Sequence, residues 1–479
     1  MKGVNLEYTF IGHQSWLIEE GNTKILLDPL LEDTFGFDQR YGIEVVPPRI
    51  VGEGIYKDID AILLSHEHSD HFHLHSLNKI SRKTPVYVGC LTIQPLIDAV
   101  EKLGFTVHKL KSREKIIIGG LEISAYQAHP KTVLWESRVY QFLFRSFKNN
   151  YSLFIAVDAL ISKDFEQDIY NKDIPQPDSI LISNNSQIPP KGVTGSLDNL
   201  KIPENENRAR MGALGLRLVK GIIINYSDLV HDLEHIILCG GGFMKTGDTF
   251  GEFMMSNQGK VAQLAAPLFP DKKIDGAVPG MVFRNGELLE ERSINISENI
   301  ERSIALKEKF LNFLQCPEWN LKAVSESSLF SFQECCEKIL SEVLSKHHQI
   351  MASEFGRILV STGNPNECFA LTLIDGNTKL EKNFSYNWKT NNWKEIGNVE
   401  NIPFGIRAIA LDFFYVVIGK IQIWDIAGLA VSSWYDPVLG NNPIKYSPMG
   451  FIYSLFGEHF NTNHFEKLCN EQIKEISIV

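Results

Sequence analysis

The chain has 479 residues, with 47 Lys and Arg against 58 Asp and Glu, for a formal net charge of −11. That balance argues against a strongly basic nucleic-acid surface, although a local patch stays open. With 44% apolar and 22% charged residues, the composition excludes overall disorder and can fill a large core. A single core rarely grows past roughly 250 to 300 residues, so about two or three domains are expected.

Met1 to Phe10 holds one Lys and no long apolar run. Neither a signal nor a transit peptide is expected there, and a cytoplasmic location is. The apolar stretch Ile406 to Trp434 is broken by Asp412, Lys420 and Asp425, short of the roughly 20 uncharged residues of a membrane span, so it reads as buried core. The seven Cys (Cys90, Cys239, Cys316, Cys335, Cys336, Cys368, Cys469) form no C-x-x-C pair. Reduced, mostly buried thiols follow.

In chain order, Leu6 to Ile11, Ser15 to Glu19 and Lys24 to Asp28 read as strands of a meander, with a turn at Gly21-Asn22. After a loop rich in Gly and Pro, Ile59 to Ser65 is an apolar run of the kind buried inside a sheet. A helix is predicted over Thr92 to Leu103, with Ile93, Leu96, Val100 and Leu103 on one face and Thr92 as its N-cap. Strands return at Ile116 to Ile118, Leu121 to Gln127, Val139 to Phe144 and Ser152 to Val157. After Gly286 a second unit is expected. It has helices over Ser297 to Leu314 and Ser325 to Ile350, then strands at Arg357 to Thr362, Cys368 to Leu373 and Leu380 to Trp388 with a turn at Gly376-Asn377. No internal repeat or low-complexity tract is apparent.

The chemistry concentrates in His66-Glu67-His68-Ser69-Asp70-His71, at the end of the Ile59 to Ser65 strand. In extended chain, residues two apart point the same way, so His66 and His68 can reach one ion while Asp70 and His71 face a neighbouring position. Imidazoles with a carboxylate suit Zn²⁺, iron or Mn²⁺, and the lack of Cys in the tract argues against a closed structural zinc site. The alternative is a solvated His-rich loop. His73 and His75 continue the tract into the next helix, where solvent exposure is expected. His347 and His348 are expected to end the second C-terminal helix as favourable charges.

The H-x-H-x-D-H pattern at His66, His68, Asp70 and His71 resembles the signature of the metallo-β-lactamase-fold superfamily. Phe10-Ile11-Gly12-His13-Gln14-Ser15-Trp16-Leu17-Ile18, followed by Ile25-Leu26-Leu27-Asp28-Pro29, resembles its ascorbate-phosphate lactonase and N-acyl-phosphatidylethanolamine phospholipase branch. The resemblance spans roughly residues 5 to 245. It implies an α+β fold, a four-layered αββα sandwich with one or two metals between the sheets. It adds His129 as the third metal-binding His and Asp158 as a carboxylate bridging two metals. A surface turn His and ordinary strand-end turn chemistry are the respective alternatives. His13 and Asp28 would orient ligands or cap strand ends.

The pattern departs at its last ligand. The corresponding strand, His235 to Cys239, runs into Gly240-Gly241-Gly242 with no His at its end, and His231 and His235 lie before the strand or at its start. Cys239 is then a soft ligand or a buried thiol, and Asn184 or Asn185 could line the gap. The glycines read as a tight turn near the metal. Ile236 to Phe243, Gly276 to Gly280 and Trp424 to Trp434 loosely resemble the metal-fold half of CMP-N-acetylneuraminate hydroxylase. The paired Cys-x-His and Cys-x-x-His of a Rieske cluster are absent, so hydroxylase activity does not follow.

These readings predict a metal-binding domain over residues 1–285 and an α+β accessory domain over 286–479, with a role in substrate cover, dimerisation or a sterol-carrier-like lipid pocket. The expected activity is a metal-dependent hydrolase whose activated hydroxide, aimed by Asp70, attacks an ester, lactone, amide or phosphodiester. Zinc, as one or two ions, is the expected cofactor, with iron as the alternative. A non-haem iron oxygenase and a non-catalytic binding module are the rival functions. The expected partner is a small-molecule substrate, with neither nucleic acid nor a transmembrane segment; the oligomeric state is left open.

Overall fold

The computed structural model describes residues 5–37, 43–46, 48–130, 138–184, 219–231, 233–245, 258–290, 329–353, 356–357, 360, 367–421, 432–435, 455 and 462–476. Alternation along the strands builds two facing sheets. In the first strand, Leu6–Gly12, the side chains of Leu6, Tyr8 and Phe10 point to one core, joined there by Trp16 and Ile18, Ile25 and Leu27, and Ala61 and Leu63 from its neighbours. The intervening Leu17, Leu26, Ile62 and Leu64 point to the opposite face. Successive side chains of a strand leave on opposite sides, so both faces of this sheet are apolar and both must be covered.

This first sheet has eight strands in the order Glu287–Leu288, Val282–Arg284, Leu6–Gly12, Ser15–Glu20, Thr23–Leu27, Ala61–Leu64, Val86–Gly89 and Val107–Leu110. The second has seven, in the order Lys273–Gly276, His235–Cys239, Ser179–Ser183, Ser152–Ile155, Tyr140–Ser146, Leu121–Gln127 and Lys115–Ile118. Leu121, Ile123, Phe142, Leu153, Leu181 and Ile237 meet the first sheet in the shared core. Tyr126, Phe154, Ile180 and Leu238 face outward, under Phe165 and Ile169 of the helix Lys163–Asn171 and Val261 of the helix Gln258–Ala265. Outside the first sheet, Leu74, Leu77, Leu96 and Val100 cover Ile62 and Leu64. Helix, sheet, sheet and helix thus stack as the expected αββα sandwich.

The helix predicted from Thr92 forms over Gln94–Lys102, and its N-cap is Ile93 with no side-chain hydrogen bond. Pro95 explains the later start, because its fixed φ belongs in a first helical turn. Gly240 takes φ +107°, but Gly242 begins a strand rather than closing a tight turn. That strand pairs with Ile43–Val46 in a small sheet with Thr34–Phe35, tying two loops of the sandwich together.

A separate five-stranded sheet, in the order Asn392–Ile396, Glu381–Asn387, Cys368–Ile374, Phe404–Ile409 and Ser432–Tyr435, gathers the C-terminal apolar residues. Its core packs against the helices Phe332–Ser345 and Ala410–Val417, the former opened by a Ser331–Glu334 capping box. The expected helix at Ser297 to Leu314 lies outside the described residues. Residues 356–357 and 360 are helical, not part of a strand from Arg357. The helix predicted to end at His347 and His348 breaks one residue earlier, at Lys346, which leaves helical ψ at 13°. His347 instead starts a new helix and its Nδ1 meets Tyr386 Oη at 2.7 Å.

The helix Thr462–Glu475 returns to the first sheet's outer core, where Phe465 and Cys469 join Phe72, Leu96 and Val100. Lys102 Nζ donates to Asn470 Oδ1 (2.7 Å), and Gln472 Nε2 donates to the Gly36 carbonyl (3.0 Å). From the same helix, Lys467 Nζ donates to the carbonyl of Ile418, at the end of Ala410–Val417 (3.3 Å). None of the helices among the described residues is long and apolar enough to cross a membrane. Phe465→Ala should cost about 3–5 kcal/mol of stability in urea unfolding, the usual range for a buried Phe. Leu329→Ala, at a residue 64% exposed, should cost less than about 0.5 kcal/mol.

Candidate metal centre

Strand direction decides which loops can meet. Leu6–Gly12 runs antiparallel to Ser15–Glu20, which runs antiparallel to Thr23–Leu27, and that strand is parallel to Ala61–Leu64. The residues that follow three of these strands, His13, Asp28 and Ser65-His66, therefore emerge at one edge. In the second sheet Leu121–Gln127, Ser152–Ile155, Ser179–Ser183 and His235–Cys239 share a direction, so His129, Asp158, Asn184 and Gly240 emerge together. Open sheets bind ligands beyond the carboxyl ends of such strands. Strained backbone occurs at this edge too. His13, Asp28 and Val157 hold φ of +55°, +43° and +51°, a conformation rare for side chains with a Cβ and worst for a β-branched one.

Asp28 organises the tract. Its Oδ1 accepts from the Ser65 amide (2.7 Å), and its Oδ2 accepts from Ser65 Oγ (2.6 Å) and from His71 Nδ1 (2.8 Å). The Ser65 hydroxyl, having given its proton to Asp28, can only accept from His66 Nδ1 at 2.9 Å. His66 thereby carries its proton on Nδ1 and presents a bare Nε2. That Nε2 is buried with no hydrogen-bond partner among the described residues, as a metal-binding imidazole requires. The ring packs edge-on against His68, centroids 4.4 Å apart, and lies tilted against His71 at 4.2 Å.

Four donor atoms lie within 4.8 Å of one another, from His13, Asp70, His71 and Asp158. His13 Nε2 is 2.7 Å from Asp70 Oδ2, and His71 Nε2 is 2.8 Å from Asp158 Oδ2. Asp158 Oδ1 accepts from Ser183 Oγ at 2.6 Å. Two imidazoles and two carboxylates are a donor set suited to zinc, iron or manganese.

Electrostatics divide the cluster. Burial pushes His66 well below the ordinary imidazole range and His68 down to about 4, so both stay neutral. Burial acts in the same direction on His71, but Asp70 and Asp158, with hydrogen bonds to Asp158 and Asp28, outweigh it and hold His71 well above that range. Burial disfavours the charged forms of Asp70 and Asp158, yet His71 and His13 keep both below the usual carboxylate range. His71 is thus the cation of the set when no metal competes.

Of the six residues singled out in sequence, Asp70, His71 and Asp158 fall in the four-donor group, while His66, His68 and His129 lie outside it. His129 is half-buried, and its amide donates to the Leu160 carbonyl at 3.4 Å, which holds its loop beside that of Asp158. His13, read as an orienting residue, enters the group itself. Its signal was its place immediately after a strand parallel to the one that delivers His66. Asp28, read as an orienting residue or a strand-end cap, accepts from Ser65 and His71. His73 is buried rather than exposed, because it precedes a short helix and its Nδ1 bonds Ser76 Oγ at 2.8 Å. Asn184 does not line the gap: its amide group is clamped by Gln258 (2.9 Å), and Ser183 is the residue that reaches Asp158. Asn185 lies outside the described residues. Cys239 is fully buried, and burial together with the nearby Asp158 charge pushes its thiol far up, so it persists as the thiol and bonds the Ile182 carbonyl.

A second constellation sits at the opposite end of the sandwich, since His235 begins its strand. Asp275 Oδ2 is 2.9 Å from His235 Nε2, and His235 Nδ1 is 3.0 Å from Ser179 Oγ. The connectivity is that of a nucleophilic triad. Ser179, however, is fully buried and bonded onward to Tyr151, and a side chain on Gly286 would come within 3.1 Å of His235 Nδ1. No substrate can reach this hydroxyl, and the set acts as a structural tie.

Residues 7–184 match the beta-lactamase superfamily domain. The match contains every site residue predicted from sequence and stops before the strand His235–Cys239, where the pattern departs. No match was found among curated proteins. Among solved structures, one from Veillonella parvula DSM 2008, described as "a possible metal-dependent hydrolase", is 16% identical with a TM-score of 0.41, over 58% of this chain and 99% of that one. Isothiocyanate hydrolase from Delia radicum gut bacteria is 15% identical with a TM-score of 0.39, over 58% and 99%. CmlA, a diiron β-hydroxylase from Streptomyces venezuelae, is 19% identical with a TM-score of 0.34, over 50% and 45%. At these scores the likeness assigns no reaction to the present chain.

Two outcomes are expected. Asp28→Asn loses a carboxylate that accepts three buried hydrogen bonds, so stability should fall by about 2–4 kcal/mol and metal affinity roughly 10–100-fold. Chemical denaturation and chelator competition would read these out. Because His71 starts with a raised pKa, a metal that takes its Nε2 must displace a proton. Affinity should therefore rise with pH from the ordinary imidazole range up to that raised pKa. Calorimetry in buffers of different ionisation heat should report about one proton released per ion; release of none would contradict it.

Proposed function

We propose that the chain is a metal-dependent hydrolase, with residues 1–285 holding the metal centre and 286–479 an accessory unit. The observation that carries this reading is the preset His66: Asp28 and Ser65 fix its tautomer so that Nε2 is bare and buried, on a ring packed 4.2 Å from that of His71, one of the four clustered donors. A polar atom buried without a partner is costly unless a ligand completes it. Such a group of imidazoles and carboxylates fits a divalent cation, with zinc first and iron as the alternative.

A divalent cation in this centre would supply Lewis acidity and make a water more acidic. His66, His68 and His129 would hold it, together with His71, Asp70 and Asp158. Asp70 Oδ2, fixed by His13, stays ionised and is exposed enough to accept a hydrogen bond from an attacking water. With its affinity for protons so low, Asp70 aims that water rather than storing its proton. Ester, lactone, amide and phosphodiester substrates all fit, and the opening segment's resemblance to the lactonase and phospholipase branch makes lactones and phosphodiesters the first to assay.

Protein purified without added metal, then analysed for metal and assayed with and without oxygen, tests this. Bound zinc with oxygen-independent hydrolysis is expected, and His66→Ala and Asp70→Asn should each lower the rate roughly a hundredfold or more. Stoichiometric iron with an oxygen-dependent product would replace the hydrolase reading with an oxygenase. Variants that keep both the metal and the rate would overturn the site.

A further inference from the structure

Between His66 and His68 stands Glu67, whose side chain is fully buried and paired with the equally buried Arg138. Arg138 lies two residues before the strand Tyr140–Ser146. Two backbone hydrogen bonds fix its surroundings. The Tyr140 amide donates to the Ser65 carbonyl (3.1 Å), and the Ala128 amide donates to the Val139 carbonyl (2.8 Å). The pair therefore spans the two sheets and joins the segment bearing His66 and His68 to the one that leaves His129.

A buried ion pair is a poor choice for stability alone, because desolvation offsets the attraction and an apolar pair of similar volume does as well or better. What an ion pair supplies and an apolar contact does not is a fixed direction between two segments. We infer that Glu67 and Arg138 are positioning residues that lock the His66–His68 tract against the His129 segment so that their imidazoles converge. The inference rests on the metal-centre reading above and concerns metal affinity, not the identity of the reaction.

The test measures Zn²⁺ affinity by competition with a chromophoric chelator, alongside circular dichroism and thermal unfolding. Glu67→Leu/Arg138→Met leaves no lone buried charge. It should retain the fold and melting temperature while binding Zn²⁺ roughly tenfold or more weakly. Should that double variant lose its fold, Glu67→Met/Arg138→Leu, which likewise leaves no lone buried charge, is held to the same criterion. Glu20→Gln is the control: Glu20 is a buried carboxylate bonded to Ser146 at the far end of the sandwich. It should lower the melting temperature and leave the affinity unchanged. A wild-type protein that binds Zn²⁺ while a folded Glu67/Arg138 variant binds it equally tightly removes the inference alone. A wild-type protein that binds no metal removes the metal-centre reading and the inference with it.

Discussion

The fully buried Asp28 carboxylate accepts hydrogen bonds from the amide and the hydroxyl of Ser65 and from His71. Through Ser65 it fixes the proton of His66, and through Nδ1 it fixes the ring of His71. A buried carboxylate that gives up water must recover its hydrogen bonds from protein donors, and here those donors are the backbone and side chains of Ser65 and His71. The order of the strands follows from the same requirement. Thr23–Leu27 must lie beside Ala61–Leu64, in parallel, for Asp28 to face Ser65. The left-handed φ of Asp28 is the local cost of turning the carboxylate inward.

The electrostatics of the centre follow from geometry and not from the residue types alone. His66, His68 and His71 lie close together, yet the first two stay neutral and the third is charged. Burial decides His66 and His68, even against the Asp70 and Glu67 charges beside His68, whereas His71 has a carboxylate at each nitrogen that outweighs its burial. A metal would exchange one cation, the His71 proton, for another, so the carboxylates remain compensated in either state.

Much of this was legible in the sequence. Apolar runs and turn signals located Leu6–Gly12, Ser15–Glu20, Thr23–Leu27, Ala61–Leu64, Leu121–Gln127, Tyr140–Ser146 and Ser152–Ile155 to within about two residues, whereas the four-residue Val86–Gly89 and three-residue Val282–Arg284 are too short to stand out by pattern. The His66 to His71 tract was legible because its spacing after a buried strand leaves little else for it to do. His13 was underestimated because its neighbours are set by strand pairing across the chain and not by local spacing. His73 misled because a His at the start of a short helix looks exposed until Ser76 is seen to face it. Asn184 misled for a similar reason: which of two adjacent strand-end residues faces the site depends on the pleat, and the pleat gives that face to Ser183. The Glu67–Arg138 pair joins positions far apart in sequence, and pattern alone offers no register for such a contact.

The helix Thr462–Glu475 has a bearing on how the protein comes into being. Phe465 packs against Phe72, the residue immediately after His71. Strands, tract and Asp28 all belong to the early chain, yet the apolar layer supporting them is closed by a helix synthesised long afterwards. On the ribosome, the emerging sandwich would present an uncovered apolar face behind the His66 to His71 tract until that helix arrives. Closure of the apolar layer behind the His66 to His71 tract thus waits on Thr462–Glu475.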